Sequence, residues 1–362
     1  MSIDTLFVNG RFLDQPLTGV QRYARELMAR IDGLLDQDPA GAGLEVVCLA
    51  PRGATAPAGW KRIRLRQVGT HRGNLWEQVD LPSCLRGGLL FSPANIGPAF
   101  HANQAVTLHD ASVFAVPQAY SALFRAKYRF VFGQLARRAR LVLTDSVFSQ
   151  RELARHLHVD PARFAVVPLG GDHLQGVAAD ESVLDANGLR GQEYLLMVAS
   201  RSPHKNVARL IEAVRRVKGG TRFVLVGGSF KGVFRDAGPE DLPAHVTRLG
   251  YVDDPGLKAL YENAQGFIFP SLYEGFGLPV LEAMSCGCPV LCSRAASLPE
   301  VGGTAVEYFD PLDVDAIRHA LERFVADPAL RARMKAAGRL QAAGFSWERT
   351  ARETLRRITA LA

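Results

Sequence analysis

Residues 269–290 have the sequence F-P-S-L-Y-E-G-F-G-L-P-V-L-E-A-M-S-C-G-C-P-V. They begin where an apolar strand at 266–269 ends, and Pro279 suits the first turn of a following helix. This order predicts a glycine-containing loop that directs backbone N–H groups and the positive end of a helix dipole toward an anion. Glu274 in the loop and Glu282 on the helix can contact different ends of one ligand. Taken alone, the two carboxylates are equally compatible with a helix cap and a solvated helix residue.

Strands and helices alternate along the chain on either side of this stretch. This alternation predicts an α/β protein with doubly wound, mostly parallel sheets. The predicted strands are 4–8, 45–50, 88–92, 104–108, 141–144, 164–168, 194–199, 222–226, 246–249, 266–269 and 289–292. In such sheets ligands bind outside the carboxyl ends of the strands, so functional residues are expected in the loops that follow them.

The length of 362 residues predicts two domains. We predict an N-terminal domain over residues 1–172 and a Gly-, Ala- and Asp-containing linker over 173–192. A C-terminal domain is predicted over 193–343. The last segment, 344–362, is predicted to be a helix that crosses back to the first domain.

The charge of the chain is uneven. Up to residue 175 there are 20 Lys and Arg against 14 Asp and Glu, so this half carries +6 of the net charge of +7. The excess indicates an anionic partner, such as a phosphorylated substrate or a membrane surface. Basic residues are not joined to a nucleic-acid-reading motif, so no nucleic-acid partner is expected.

Other composition features predict a cytoplasmic protein without a metal centre. The N-terminus has no basic and apolar leader, and no stretch approaches the length of a membrane span. The cysteine cluster in C-G-C-P-V-L-C (286–292) lies in an apolar run without a fourth ligand, which favours packing over metal binding. G-G-S (227–229) lacks the rest of a dinucleotide fingerprint, so NAD binding is not expected.

Two cations follow the strand at 194–199, in the segment S-R-S-P-H-K-N. Arg201 and Lys205 are four residues apart in a loop that enters a helix, where they can bind a pyrophosphate and offset the charge of a leaving group. A solvated pair would have the same spacing. His109 and Asp110 follow another strand, and a histidine in this position is also common as a structural residue.

The string P-S-x-x-E-G-F-G-L-P-x-L-E-A-M resembles the E-x7-E signature of the large retaining GT-B glycosyltransferase family, glycosyltransferase family 4. S-L-P-E-V-G-G (297–303), F-D-P-L-D (309–313) and F-S-W-E-R-T-A (345–351) are also similar to that family. The resemblance implies two Rossmann-like domains facing across a cleft, and no metal or other cofactor. The N-terminal domain (1–172) would bind the acceptor, and the C-terminal domain (193–343) would bind most of the nucleotide-sugar donor.

The resemblance also implies roles for individual residues. Arg201 and Lys205 would bind the donor phosphates, Glu274 would contact the sugar and Glu282 the ribose. His109 and Asp110 would position sugar and acceptor in the catalytic centre. The remaining donor-binding positions implied are Gly19, Val252, Phe276, Gly277 and Leu278. Many relatives have two glycines where this chain has Gly19 alone.

The segments T-G-V-Q-R-Y (18–23), N-L-W-E-Q-V-D-L-P (74–82) and F-S-P-A-N-I-G-P (91–98) look similar to bacterial mannosyltransferases that use GDP-mannose. This similarity favours transfer of mannose to a glycan or polyprenyl-diphosphate-linked acceptor in polysaccharide or glycolipid synthesis. A glucosyl or rhamnosyl donor stays open, as do a phosphorylase, an epimerase or a catalytically silent nucleotide-sugar-binding scaffold.

Residues 120–140 combine six basic residues with five aromatic ones. A basic amphipathic helix with aromatic residues can lie on an anionic membrane, so peripheral contact with the inner face of the cytoplasmic membrane is a hypothesis for this segment. An ordinary surface helix with its aromatic side chains in the core would have the same composition.

Overall fold

The computed structural model describes residues 5–37, 43–85, 87–199, 202–217, 220–228 and 242–361. Within these ranges the strands form two parallel sheets. The first sheet has the order β3-β2-β1-β4-β5-β6-β7. Its strands are β1 (Thr5–Asn9), β2 (Glu45–Ala50), β3 (Arg64–Gln67), β4 (Leu89–Ser92), β5 (Gln104–Thr107), β6 (Leu141–Thr144) and β7 (Phe164–Val166).

The second sheet has the order β10-β9-β8-β11-β12-β13. Its strands are β8 (Tyr194–Val198), β9 (Arg222–Val226), β10 (Val246–Gly250), β11 (Gly266–Phe269), β12 (Val290–Ser293) and β13 (Glu307–Phe309). In both sheets the order turns outward in two directions from a central strand pair, which is the doubly wound pattern that was predicted.

Helices connect the strands. They are α1 (Gly19–Gln37), α2 (Gly73–Leu75), α3 (Leu81–Ser83), α4 (Ser112–Ala115), α5 (Ala122–Arg138), α6 (Val147–Leu157), α7 (Ser182–Ala186), α8 (Val207–Arg216), α9 (Asp254–Asn263), α10 (Leu278–Ser285), α11 (Leu298–Gly302), α12 (Val314–Ala326), α13 (Pro328–Ala342) and α14 (Trp347–Thr359). A π-helical turn at Trp76–Asp80 separates α2 from α3.

Local sequence explains these elements. In α1 the residues Tyr23, Leu27 and Ile31 recur at helical spacing and are all buried. The central strands are nearly continuous apolar runs, as expected when helices cover both faces of a parallel sheet. Asp253 caps α9 by accepting a hydrogen bond from the N–H of Gly256, which fixes where that helix begins.

Two edge strands were not predicted. β3 has the sequence R-L-R-Q and β13 has only three residues, so neither shows the apolar pattern on which the prediction depended. The predicted linker contains the short helix α7 and a 3-10 turn at Asp172–Leu174. These elements are too short to produce a periodic signal.

Contacts divide the chain into two compact units. The first comprises Met1–Ala111, Ala126–Gly170 and Trp347–Ala362, and the second Ser112–Arg125 and Gly171–Ser346. The domain bounds predicted from the sequence, 1–172, 173–192, 193–343 and 344–362, stay predictions, because contacts within a chain do not show which segments fold independently.

The last helix, α14, completes the first unit. It packs along α1, where the buried indole of Trp347 meets the ring of Tyr23 at a centroid distance of 6.0 Å. The Oγ1 of Thr350 donates a hydrogen bond of 2.7 Å to the carbonyl of Pro168. An element from the end of the sequence is therefore part of the core built by its beginning.

Candidate donor and acceptor sites

In the second unit, the loop after β11 has a backbone that only glycine adopts easily. Gly277 caps α10 with φ of +105°, and a Cβ built there would lie 2.6 Å from Cδ2 of Leu298. The turn therefore needs glycine both for its conformation and for the approach of α11. Pro279 has no N–H and the N–H of Val280 donates to the Gly277 carbonyl, so the N–H of Leu278 and the positive end of the helix dipole are what this helix end offers to an anion.

Lys205 and Glu274 meet at this end of the sheet. The Nζ of Lys205 lies 2.6 Å from Oε1 of Glu274, and their side chains are 18% and 12% exposed. The ammonium also lies 5.5 Å from the ring centroid of Phe269. A partly desolvated pair of this kind is held firmly, and the ammonium keeps two further N–H donors for a ligand.

Asn206 fixes the position of Lys205. Its side-chain amide donates to the carbonyls of Pro270, at 3.1 Å, and Pro311, at 2.8 Å. Its own backbone is left-handed, with φ of 60°. Ser297 acts similarly, because its hydroxyl donates to the carbonyls of Glu274 and Phe276. The loops that follow β8, β11, β12 and β13 are thereby joined.

Glu282 lies on α10 and is buried. Its Oε1 is 3.1 Å from Nε2 of His173, and its Oε2 accepts a hydrogen bond of 3.2 Å from the hydroxyl of Tyr261. Burial, together with the negative charge of Glu282, raises the pKa of Tyr261 well above its ordinary value, so this hydroxyl remains a donor.

The other predicted positions of the second unit are placed as follows. Phe276 and Leu278 have buried side chains, so they offer a ligand their backbone rather than their side chains. Val252 is half-buried in the turn between β10 and α9. Arg201 lies outside the described residues. His204, beside Lys205, has a pKa lowered to about 4 by burial and by the lysine charge, so it is neutral.

In the first unit, His109 follows β5 and is buried against Asp145, which follows β6. The Nδ1 of His109 is 2.7 Å from Oδ2 of Asp145, and Nε2 is 3.0 Å from the carbonyl of Pro93. Because both ring nitrogens face acceptors, the ring is satisfied fully only when it carries two protons. Burial lowers the pKa of His109, but the charge of Asp145 and these hydrogen bonds outweigh it, so the pKa is raised.

The His109 ring has contacts on its other sides as well. Tyr23 of α1 meets it edge-on at 4.6 Å, and the His109 N–H donates to Oδ1 of Asn95. With only 5% of the residue exposed, His109 presents its backbone and the adjacent half-buried Asp110 rather than a free imidazole.

Gly19, also in the first unit, is exposed at the first residue of α1. A Cβ built on it meets no atom within 4 Å in the part of the chain that the structure describes. Packing within the protein therefore does not explain a glycine at this position.

Several residues in these sites were not predicted. Asp145, His173, Asn206, Tyr261 and Ser297 contact predicted residues, and a buried network joins Asn9, Arg11 and Glu77 at the carboxyl ends of β1 and β4. Asn9 and Asp145 stand next to strand ends, so the strand-end rule could have identified them. Glu77 lies in the W-E-Q-V-D segment, which forms the π-helical turn.

The described residues contain no group of three His, Cys, Asp or Glu side chains arranged to hold a metal ion. Their helices include none that is long and apolar enough to cross a bilayer. Cys288 and Cys292 are buried and Cys286 is half-buried, and burial raises the pKa of the Cys286 thiol to about 12.

Comparison with known proteins identifies the family. The family model "Glycosyl transferases group 1" matches residues 182–341. O-antigen chain mannosyltransferase B of Escherichia coli is 37% identical over 261 residues, which cover 69% of this chain and 68% of that protein. The chain belongs to the glycosyl transferases group 1 family. A second relative of this glycosyltransferase, the serotype-specific mannosyltransferase WbdA of E. coli, is 33% identical, but the match spans only 29% of its length.

Solved structures agree on the fold of this glycosyltransferase. Sucrose-phosphate synthase from Thermosynechococcus elongatus has a TM-score of 0.75 at 21% identity, covering 99% of this chain and 100% of that one. HepE from Anabaena in complex with UDP and glucose has a TM-score of 0.74 at 16% identity, covering 98% and 99%. The predicted GT-B fold, with two Rossmann-like domains, is confirmed. Such an enzyme uses a nucleotide-sugar donor and a glycan acceptor.

We expect Gly19→Ala to leave stability within about 0.5 kcal/mol of the unaltered protein, because its Cβ meets no neighbour. If donor phosphates approach this backbone, the methyl group displaces them and turnover falls by about 100-fold. Thermal unfolding and nucleoside diphosphate release measure the two effects. Gly277→Ala is the matched control, since it should lose both stability and turnover. Normal turnover in Gly19→Ala would exclude the close approach.

Asp145→Asn is expected to lower the pKa of His109, because it removes the charge that opposes the effect of burial. Because the pKa of His109 is higher in the folded protein than the value of about 6.5 in the unfolded chain, protonation of His109 stabilises the fold. This stabilisation is complete below the unfolded-state pKa and is lost as pH rises through the folded-state pKa. The variant should therefore lose this stabilisation at a lower pH. Histidine NMR titration measures the pKa, with Asp36→Asn as control. An unchanged pKa would show that the pair is not formed.

Proposed function

We propose that this glycosyltransferase transfers mannose from GDP-mannose to a glycan or polyprenyl-diphosphate-linked acceptor, with retention of configuration and without a metal ion. The observation that carries the proposal is the pair of Lys205 and Glu274, 2.6 Å apart beside the N-terminus of α10. Mannose is favoured because the two E. coli relatives are named mannosyltransferases.

The donor diphosphate is assigned to Lys205, Arg201 and the amide groups at the start of α10. Lys205 binds Glu274 through one N–H and has two left for phosphate oxygens, so the pair need not separate when the donor arrives. The charge that grows on the leaving diphosphate is offset by fixed cations and the helix dipole, without a metal ion. The backbone of Phe276, Gly277 and Leu278 lies at the same helix end.

Glu274 is assigned to the sugar, where its carboxylate supports the positive charge that develops at the anomeric carbon. Glu282 is assigned to the ribose hydroxyls and Val252 to the nucleobase. The acceptor hydroxyl attacks from the face that the phosphate leaves, and a phosphate oxygen takes its proton. This path retains configuration at the anomeric carbon.

From the first unit, Gly19 is assigned to the donor phosphates, and His109 with Asp110 to positioning of the sugar and the acceptor. The imidazole of His109 is held by Asp145 and Pro93 on both nitrogens. A role as proton carrier does not fit this arrangement, since neither nitrogen is available to a substrate. His109 therefore acts through the conformation of its loop.

The test is release of nucleoside diphosphate from a panel of GDP- and UDP-linked mannose, glucose and rhamnose, with methyl α-mannoside as probe acceptor and a chelator present. Turnover of GDP-mannose is expected, with an axial product linkage by NMR. Glu274→Gln and Lys205→Met should each reduce it by about 100-fold or more. Glu212→Gln, which changes an exposed helix carboxylate, should not.

Other outcomes of this panel are informative. Turnover of a glucose or rhamnose donor would show that the donor sugar is not mannose, while the protein would still be a glycosyltransferase. A requirement for a metal ion would contradict the proposal that fixed cations and the helix dipole offset the charge of the leaving diphosphate. Donor binding without turnover, unaffected in Glu274→Gln, would favour a nucleotide-sugar-binding scaffold.

Peripheral membrane contact belongs to the same proposal, and one patch of the first unit supports it. Phe100 and Phe130 are 67% and 52% exposed, their rings lie 6.0 Å apart, and the guanidinium of Arg138 lies 5.5 Å from the Phe100 ring. Exposed aromatic rings beside cations suit an anionic lipid surface at the cytoplasmic side. The acceptor lipid would be located at the same surface.

The rest of the 120–140 segment contributes less to this surface. Tyr120 and Phe132 are buried. Lys127 is half-buried, and burial, together with the charge of Arg11, lowers its pKa to about 8. The basic aromatic composition thus divides between core and surface, and only the patch of Phe100, Phe130 and Arg138 is assigned to lipid.

We expect the Phe100→Ser, Phe130→Ser double variant to bind vesicles of phosphatidylglycerol and phosphatidylcholine about 10-fold more weakly, because two large apolar side chains no longer leave water. Co-sedimentation with vesicles measures this. Leu340→Ser, at an even more exposed apolar residue of α13, is the control. Equal binding by all three proteins, or no dependence on the anionic lipid, would contradict the proposal.

A further inference from the structure

The carboxylate of Glu282 is held from two sides before any ligand arrives. His173 Nε2 lies 3.1 Å from Oε1, and the Tyr261 hydroxyl donates to Oε2 at 3.2 Å. The side chain of Glu282 is 10% exposed, and Tyr261 is fully buried. Oε2 thus accepts a hydrogen bond, Oε1 lies at ion-pair distance from the His173 ring, and a small part of the Glu282 side chain remains exposed.

The two partners stand on rigidly packed supports. His173 belongs to the 3-10 turn Asp172–Leu174, which is pressed against α10 so closely that a Cβ on Gly171 would lie 2.3 Å from Cγ of Leu281. Tyr261 projects from α9, and its ring packs edge-on against Phe267 at 5.4 Å. A carboxylate supported in this way cannot rotate freely about its last torsion.

The number of lone pairs that remain available determines which ligand groups this carboxylate can bind. Two carboxylate oxygens offer about four acceptor positions. Tyr261 takes one on Oε2, and Oε1 lies at ion-pair distance from His173, so acceptor positions remain on both oxygens for a ligand. Two acceptor oxygens on one carbon, held in one plane, match two neighbouring hydroxyl groups better than a single donor. Vicinal hydroxyls are present on ribose and absent from 2′,3′-dideoxyribose.

We infer that Tyr261 and His173 are positioning residues that orient Glu282 to accept hydrogen bonds from both hydroxyls of a vicinal diol, and so select ribonucleotide donors. The inference rests on the proposed function, in which Glu282 faces the donor ribose. The two residues act through Glu282 and do not contact the reacting atoms.

The selection has a physical basis in the binding step. When the diol is absent, the oriented lone pairs of a buried carboxylate lose partners that water supplied before binding. If the carboxylate is no longer oriented, the ribonucleotide binds only slightly more tightly than its dideoxy analogue, which has hydrogen atoms in place of the two hydroxyls. Removing a positioning residue should therefore weaken ribonucleotide binding and leave dideoxynucleotide binding unchanged.

The experiment is calorimetric binding of GDP and of 2′,3′-dideoxy-GDP to the unaltered protein, Tyr261→Phe, His173→Gln and Glu282→Gln, repeated with the uridine pair. The unaltered protein should bind GDP at least about 10-fold more tightly than its dideoxy analogue. Tyr261→Phe should weaken GDP by about 10-fold, with dideoxy-GDP unchanged within about twofold. Tyr308→Phe, which removes a hydroxyl bonded to the Gly303 carbonyl, is the control and should change neither.

Equal weakening of GDP and dideoxy-GDP in Tyr261→Phe would show a packing role and overturn the inference while leaving the glycosyltransferase proposal intact. So would Tyr261→Phe and His173→Gln variants that keep the full preference of the unaltered protein. Failure of the unaltered protein to bind any of the four nucleotides would overturn the proposed function as well, which separates the two outcomes.

Discussion

The buried amide of Asn206 is the interaction on which the second unit's site depends. It donates to carbonyls that follow two different strands, so it joins the loops after β8, β11 and β13. Its left-handed backbone directs the preceding Lys205 toward Glu274. This uncharged side chain thereby helps to set the distance between a half-buried cation and a carboxylate, and that distance determines the strength of their attraction.

The two units offset the free-energy cost of burying a charged group in similar ways. In the second unit, Lys205 is paired with Glu274, and Glu282 is held by Tyr261 and His173. In the first, His109 is paired with Asp145, whose pKa is raised by burial against the opposing charge of the histidine. Lys205, Glu274, His109 and Asp145 each lie in a segment that follows a parallel strand of their own unit, where ligands of such sheets bind.

Much of the fold could be predicted from the sequence because the central strands are buried on both faces and appear as apolar runs. The edge strand β3, with its sequence R-L-R-Q, could not, since an edge is stabilised by pairing and not by its own burial. The E-x7-E segment pointed to Glu274 and Glu282 because both lie within one local unit of loop and helix. Their partners could not be predicted in this way. His173 is 109 positions from Glu282, and no periodicity relates residues that meet only after the chain folds.

The return of α14 to pack on α1 has a consequence for how the protein is made. During synthesis, the residues of the first sheet leave the ribosome long before Trp347, whose indole fills the space beside Tyr23. Until then the apolar face of α1 lacks its cover, whereas the strands and helices of Gly171–Ser346 are already present. The nascent first unit therefore keeps part of the α1 surface exposed until the last helix has been synthesised.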